Sequence, residues 1–427
     1  MSSVAFDQSH LLALLDAAER AGMQGQTAEA ERLISAARSI APDDPNVLNA
    51  LGVRALRAGN FPEARTLLER AVSTAPHDPR LHLNLASTLR EFKDRDGEMK
   101  ALNDCLALDP YFALANFQKG SLLELLNRPG EAARAFNAGL ASLRSGAAMP
   151  ESLRPIIEHA RATVRANFRD LEVWLEERMR DARARHEGDA LDRVDDCVAA
   201  FVGKKRIYVQ QPTGTHFPRL PAIQFFDRRD FPWIGAVEGA THEIRAELEA
   251  LLASSLQDFG PYVAYDPGVP LNQWKELNHS RAWSALFLFQ NGKPYDQNIA
   301  RCPATMAALS AAPLLDIPGR SPTAFFSRLD PKTRIPPHTG VTNTRLTVHI
   351  PLIVPENCGF RVGSEVRRWQ PGTALIFDDT IEHEAWNDSD AARVVLIFDI
   401  WNPLLTAAER DLISAATIGI GEFFEQA

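Results

Sequence analysis

Residues 344–354 read TRLTVHIPLIV and residues 392–400 read ARVVLIFDI. In TRLTVHI apolar and polar residues alternate, which suits a strand buried on one face, while VVLIFDI is nearly all apolar and suits a strand buried on both. Similar short runs surround them: RIYVQQ (206–211), SALFLFQ (284–290), TAFFSRL (323–329) and TALIFDD (373–379). Prolines and aromatics become frequent from about residue 205. One helical interval interrupts the run, ATHEIRAELEALLASSL at 240–256. Short strands separated by turn residues predict a sandwich or jelly roll for this half of the chain.

Moving toward the N-terminus, the texture becomes helical and periodic. Ala18, Gly52, Ala86 and Gly120 recur every 34 residues, as do Ala37, Ala71, Cys105 and Gly139. A third series, Ala30, Ala64, Glu98 and Ala132, keeps the same interval and is broken only at Glu98. Pro42, Pro76 and Pro110 close the units. Small residues let the two helices of a hairpin approach closely, and proline ends the second helix. The pattern resembles tetratricopeptide repeats, about four units over residues 10–144, with the third loosest at its turn FKDRDGEMK. Stacked helix pairs make a concave groove suited to a peptide or partner protein, although such repeats also serve only to extend or dimerise a molecule. Residues 150–204 read as two or three further helices without the period, on which His159 and His186 are surface histidines.

The 427 residues allow two or three domains at roughly 100–200 residues each. The composition is 45% apolar and 24% charged, which excludes wholesale disorder. A net charge of −9 argues against general nucleic-acid binding. No apolar run approaches the ~18–20 residues of a membrane span. The N-terminal MSSVAFDQSHLLALL lacks the basic region and cleavage site of a secretory signal. Four scattered cysteines with no CxxC suggest neither a disulfide framework nor a thiolate zinc site. These features predict a cytoplasmic protein. The expected division is a repeat domain at 1–146, a helical linker at 147–204 and a β-rich domain at 205–427.

Chemistry concentrates in the β-rich part. His338 in RIPPHTG, His349 in LTVHIPL and His383 in DDTIEHEAWND lie near expected strand ends. Across a jelly roll, His338 and His383 can meet on one metal; two His and a carboxylate make the facial triad of non-haem iron. The carboxylate is normally two residues after the first His, and here that residue is Gly340. Arg393 follows His383 by ten residues, inside an apolar strand. A buried guanidinium needs an anion, and the distal carboxylate of 2-oxoglutarate is one that fits.

Three stretches, PHTGVTNTRLTVHIPLIVP (337–355), RRWQPGTALIFDDTIEHEAWND (367–388) and RVVLIFDIWNP (393–403), together resemble the aspartyl/asparaginyl β-hydroxylase family. FFDRRDFPW (225–233) and AWSALFLFQNG (282–292) fit the start of the same domain, and the resemblance covers roughly residues 205–405. Tetratricopeptide repeats ahead of this domain are a known arrangement in that family. The resemblance implies a multidomain α + β chain, an all-α solenoid followed by a double-stranded β-helix (jelly roll). It also implies an oxygenase that uses Fe(II), 2-oxoglutarate and O2. On matching positions His338 and His383 would bind iron, with water in place of the missing carboxylate and Asp379 holding that water. Arg393 and Ser327 would grip the distal carboxylate of 2-oxoglutarate, His349 the carboxylate nearer the metal, and Trp283 would line the pocket. Family members often carry Arg where this chain has Thr347, which implies a weaker grip on 2-oxoglutarate; Arg345 shares that strand face.

The implied activity is hydroxylation of a peptidyl side chain, Asp and Asn among the candidates, with the repeat groove recruiting the polypeptide. Alternatives are a free amino acid, a lipid acyl chain, or a catalytically silent scaffold sensing 2-oxoglutarate. Trp369, Trp386 and Trp401 read as core packing, Asp378 as a solvated turn, and Arg367–Arg368 as surface charge with a weak claim on an acidic substrate.

Overall fold

The computed structural model describes residues 2–143, 151–188 and 191–425. The expected start of the linker at residue 147 lies outside the described residues. The chain divides into two compact units, 1–198 and 199–427.

The first unit opens with four antiparallel helix pairs. These are α1 (Ser2–Met23) with α2 (Thr27–Ile40), α3 (Pro45–Arg57) with α4 (Phe61–Thr74), α5 (Pro79–Glu91) with α6 (Arg95–Leu108), and α7 (Ala113–Leu125) with α8 (Pro129–Ala141). Asp44, Asn60, Asp78 and Asp94 cap four of these helices by accepting from backbone N–H groups of the first turn. Each turn within a pair needs one left-handed residue, and it recurs at the repeat interval: Gly25, Gly59, Lys93 and Asn127, with φ of 73°, 76°, 57° and 56°. The loose third turn therefore keeps the backbone conformation and only loses the glycine that adopts it most easily.

The small-residue series is explained by contact. A Cβ on Gly52 would stand 2.6 Å from Leu68, and one on Gly120 would stand 2.5 Å from the Phe136 ring. Glu98, the break in its series, is buried but paired with Arg90 at 2.7 Å. Past the repeats, α9 (Arg154–Ala184) lays Ile157, Ala160 and Val164 against Phe117, Leu123 and Phe136. His159, expected as a solvated surface residue, bonds Glu124 at 2.8 Å and packs edge-on against Phe136. α9 thus covers the apolar face that a fifth repeat would otherwise bury. One short helix follows, α10 (Asp192–Phe201).

The second unit is built on two antiparallel sheets. Its strands are β1 (Gly260–Pro261), β2 (Trp283–Gln290), β3 (Lys293–Pro294), β4 (Ala324–Leu329), β5 (Thr333–His338), β6 (Arg345–Ile353), β7 (Cys358–Val362), β8 (Glu365–Arg367), β9 (Leu375–Phe377), β10 (His383–Asn387) and β11 (Arg393–Trp401). The larger sheet runs β1-β2-β4-β11-β6-β9, with β3 on β2; the smaller runs β5-β10-β7-β8. Helices α11 (Ile234–Gly239) and α12 (Thr241–Ser255), the latter the expected helical interval, share a core with the larger sheet.

Alternation along β6 and β11 divides the unit into layers. Leu346, Val348, Ile350 and Leu352, with Val394, Leu396, Phe398 and Ile400, pack outward in one core with Ile244, Leu248 and Leu251 of α12. The opposite faces carry Arg345, Thr347 and His349, and Arg393, Ile397 and Asp399, which line a cavity toward the smaller sheet. The strand expected at RIYVQQ does not form. Gln211 N donates to Thr380 O at 2.7 Å and Gln210 bonds Asp378, so the segment is pinned at points without a ladder, and Ile207 stays exposed.

Gly120→Ala is expected to destabilise the repeat unit by about 1–3 kcal/mol, because the buried Phe136 ring has nowhere to move. Urea unfolding followed by helical circular dichroism measures this; an unchanged midpoint contradicts the close approach.

Candidate active site

His338 ends β5 and His383 begins β10, and the ladder sets the two residues directly opposite each other. Their ring centroids are 4.0 Å apart. His338 Nδ1 lies 2.8 Å from Pro336 O, and His383 Nδ1 lies 3.0 Å from Ile381 O. A carbonyl only accepts, so each Nδ1 carries the proton and each Nε2 keeps its lone pair. Burial, reinforced by His383, pulls His338 down to about 3, and burial pulls His383 down to about 4. The pair is therefore neutral at physiological pH and presents two imidazole donors.

Among the described residues no third His, Cys or carboxylate completes a cluster able to hold a metal directly. The space beside the pair explains this. A Cβ on Gly340 would lie 2.2 Å from the Asp379 carboxyl group, so that carboxyl fills the place of a side chain two residues after His338. Gly340 N donates to Asp379 O at 2.7 Å, which locks the two segments together. Asp379 Oδ2 accepts from Arg345 at 3.0 Å, whereas Oδ1 is buried with no partner among the described residues.

Arg393 is 1% exposed, and its Nε and Nη1 have no hydrogen-bond partner among the described residues. Its guanidinium lies 4.6 Å from the centre of the Trp369 ring. Burial lowers its pKa to about 10, which still leaves it charged at neutral pH. Ser327 on β4 pairs with Val395 of β11, and its Oγ accepts from Trp283 Nε1 at 3.1 Å, leaving the hydroxyl proton free to donate. His349 has the opposite tautomer from the other two histidines. Trp369 Nε1 donates to its Nδ1 at 3.3 Å, so its proton sits on Nε2. Burial, then the charge of Arg393, holds it neutral.

All seven residues singled out from the sequence, Trp283, Ser327, His338, His349, Asp379, His383 and Arg393, line one cavity of about 710 Å³. Sequence reasoning gives several of their neighbours no part in the site: it takes Trp369 as core packing and Arg345 only as sharing the face of Thr347, and it does not single out Asp399 or Tyr262. Trp369 underlies Arg393 and orients His349. Arg345 bridges Asp399 at 2.7 Å and Asp379 at 3.0 Å, and burial raises Asp399 to about 6 despite that partner. Tyr262 stacks on Trp283 at 4.0 Å. The alternation of β6 and β11 was the available signal for Arg345 and Asp399; nothing local marked Trp369 or Tyr262. Asp378 is buried and bonded to Thr380 and Gln210, and Arg367 lies over Phe225 while pairing with Glu365.

Comparison with known proteins agrees with this architecture. The aspartyl/asparaginyl β-hydroxylase family matches residues 238–403, and the tetratricopeptide repeat matches 15–79 and 49–111. The ornithine lipid ester-linked acyl 2-hydroxylase of Rhizobium tropici is 39% identical over 200 residues, covering 45% of this chain and 65% of that protein. The aspartyl/asparaginyl β-hydroxylase of Mus musculus is 36% identical over 150 residues, covering 35% of this chain and 20% of that protein. The Homo sapiens protein of the same name is 30% identical over 238 residues, covering 54% of this chain and 30% of that protein. The chain thus spans less than two thirds of these relatives. Its second unit is similar to the aspartyl/asparaginyl β-hydroxylases, behind helices that match the tetratricopeptide repeat. No helix among the described residues is long and apolar enough to cross a membrane.

Both His338 and His383 would titrate near 6.5 once unfolded, above their folded values of about 3 and about 4. Unfolding therefore takes up protons below about pH 6.5, and the stability these groups contribute is complete above that pH and lost as pH falls toward the folded values. The metal-free full chain is expected to lose thermal stability between about pH 7 and pH 5, with a shallower loss in His383→Gln. Calorimetry across that range tests it; parallel profiles contradict a neutral pair.

Proposed function

We propose that the second unit is an Fe(II)- and 2-oxoglutarate-dependent dioxygenase that hydroxylates a substrate carbon. The observation that carries this reading is Arg393, a buried guanidinium with two nitrogens unpaired among the described residues, lining the same cavity as two imidazole lone pairs. Burying an unpaired charge costs several kcal/mol, so the site suits an anion that arrives with the metal. 2-Oxoglutarate, with a carboxylate at each end and a keto group beside one of them, fits both features.

In this reading His338 and His383 hold iron through Nε2, and the carbonyls of Pro336 and Ile381 fix their rings. Asp379, whose carboxyl fills the place a side chain at Gly340 would take, would offer its unpartnered Oδ1 as acceptor to a water on that metal. Arg393 and the Ser327 hydroxyl donate to the distal carboxylate, and His349 donates from Nε2 to the nearer one. Trp369 aligns both Arg393 and His349; Trp283 holds Ser327. Bound iron with 2-oxoglutarate supplies O2 activation, converting 2-oxoglutarate, O2 and a C–H bond into succinate, CO2 and C–OH. The chain's own task is to place that C–H bond and keep the cavity dry.

The substrate we favour is a peptidyl side chain, with the tetratricopeptide groove recruiting the polypeptide. A second reading, an acyl chain, draws on the 39% identity to an ornithine lipid acyl 2-hydroxylase. Anaerobic titration of the full chain with Fe(II) and 2-oxoglutarate tests the core of the proposal. A visible charge-transfer band is expected, and it should vanish in His383→Ala; no band from folded protein favours a silent scaffold. Arg393→Met should weaken 2-oxoglutarate binding by more than about thirtyfold while raising the melting temperature of the ligand-free chain, since it removes a buried unpaired charge. Thr347→Arg is expected to tighten 2-oxoglutarate binding in calorimetric titration, and no tightening removes Thr347 from the account.

A further inference from the structure

The last helix of the second unit, Ala407–Glu425, is apolar on two opposite faces. One face is anchored: Ile413 and Ile418 pack against Leu315, Ile317, Trp401 and Leu405, and Arg320 lies across Gly421. With 3.6 residues per turn, the opposite face carries Ala408, Leu412, Ala415, Ala416, Gly419 and Phe423, and all six are exposed. Leu412 is 72% exposed and Phe423 68%, with Ile420 at the edge of the stripe 53% exposed. A helix that is apolar all round belongs in an interior, so this stripe calls for a second surface.

The order of side chains makes the stripe its own complement. Two copies of the helix laid antiparallel, about a two-fold axis midway between Ala415 and Ala416, bring Leu412 of one copy onto Gly419 of the other. The same axis sets Phe423 against Ala408 and Ala415 against Ala416. Each large side chain then meets a small one, and the small residues let the helix axes approach closely. A parallel pair would put Leu412 on Leu412 and Gly419 on Gly419, with crowding at one level and a void at another. A two-fold interface requires such a self-complementary patch.

Area and charge point the same way. Taking ~150–250 Å² for an aromatic side chain, the exposed parts of Leu412, Ile420, Phe423 and Phe424 come to roughly 500 Å² per copy. A pair would bury on the order of 1,000 Å², the lower bound for a specific interface. The charges beside the stripe, Glu409, Asp411 and Glu422, are all acidic. They oppose an anionic lipid surface, where interfacial helices carry Lys and Arg instead.

We propose that this stripe joins two copies of the chain through an antiparallel, two-fold pair of their last helices.

Sedimentation equilibrium of the full chain from about 1 to 200 µM tests this, with a dimer of Kd about 10 µM or tighter expected from an interface of that size. Leu412→Glu, at an exposed position, should weaken association by at least about thirtyfold, because it presses an unpaired charge onto the other copy. Orientation is read by cross-linking in a Cys197→Ser background, since Cys197 is an exposed thiol. On mild oxidation Ala416→Cys should give a disulfide-linked dimer and Ala408→Cys should not, because antiparallel helices hold their two Ala408 positions roughly 22 Å apart. A chain that stays monomeric across the range overturns the proposal; binding of that monomer to phosphatidylcholine vesicles would assign the stripe to lipid. An undiminished dimer in folded Leu412→Glu overturns it as well. So does a disulfide-linked dimer of Ala408→Cys, the mark of a parallel pair.

Discussion

Arg393 is the constraint around which the second unit is organised. A guanidinium that is 1% exposed, with two nitrogens lacking partners among the described residues, is costly to bury and persists only where surrounding packing over-determines it. That packing comes from β11, whose outward residues Val394, Leu396, Phe398 and Ile400 are locked into the core shared with α12. Once those four are committed outward, alternation leaves Arg393 no direction but inward. The Trp369 ring, 4.6 Å from the guanidinium carbon, attracts its charge through the electron-rich ring face.

The same alternation distributes the rest of the site. Thr347 and His349 on β6, and Asp399 on β11, are turned inward by the apolar residues between them. The smaller sheet contributes the other half, because the β5–β10 ladder sets His338 against His383. Rigid ladders, not loops, therefore hold the two imidazoles, which is the arrangement best able to keep a donor pair at fixed separation.

Within one cavity the three histidines are differentiated by what binds their Nδ1. Backbone carbonyls at His338 and His383 leave Nε2 as a lone pair, whereas the Trp369 indole at His349 leaves Nε2 as a donor. A metal needs the first kind and a carboxylate the second, so chemically identical side chains are sorted by their second neighbours. Burial keeps all three neutral, which prevents protonation from erasing the distinction.

Local pattern in the sequence was enough for the architecture. The 34-residue interval of small residues carries the solenoid, since Gly52 and Gly120 are where a second helix passes within van der Waals reach. Alternation in TRLTVHI carries the inward face, and the residue types His338, His383 and Arg393 carry the chemistry in outline. What sequence could not settle depends on partners far apart along the chain. Gly340 and Asp379 are 39 residues apart, and only the folded sheets reveal that one carboxyl fills the other's missing side chain. Arg345 can be placed on the face of Thr347 from the sequence, but its partners Asp399 and Asp379 lie 54 and 34 residues away and meet it only in the fold. RIYVQQ has the composition of a strand, yet it forms no ladder and is held at points, by Gln211 N on Thr380 O and Gln210 on Asp378. Propensity and period are properties of neighbours in sequence; tautomer, charge pairing and ladder formation are decided by neighbours in space, and those exist only once the two sheets have closed on each other.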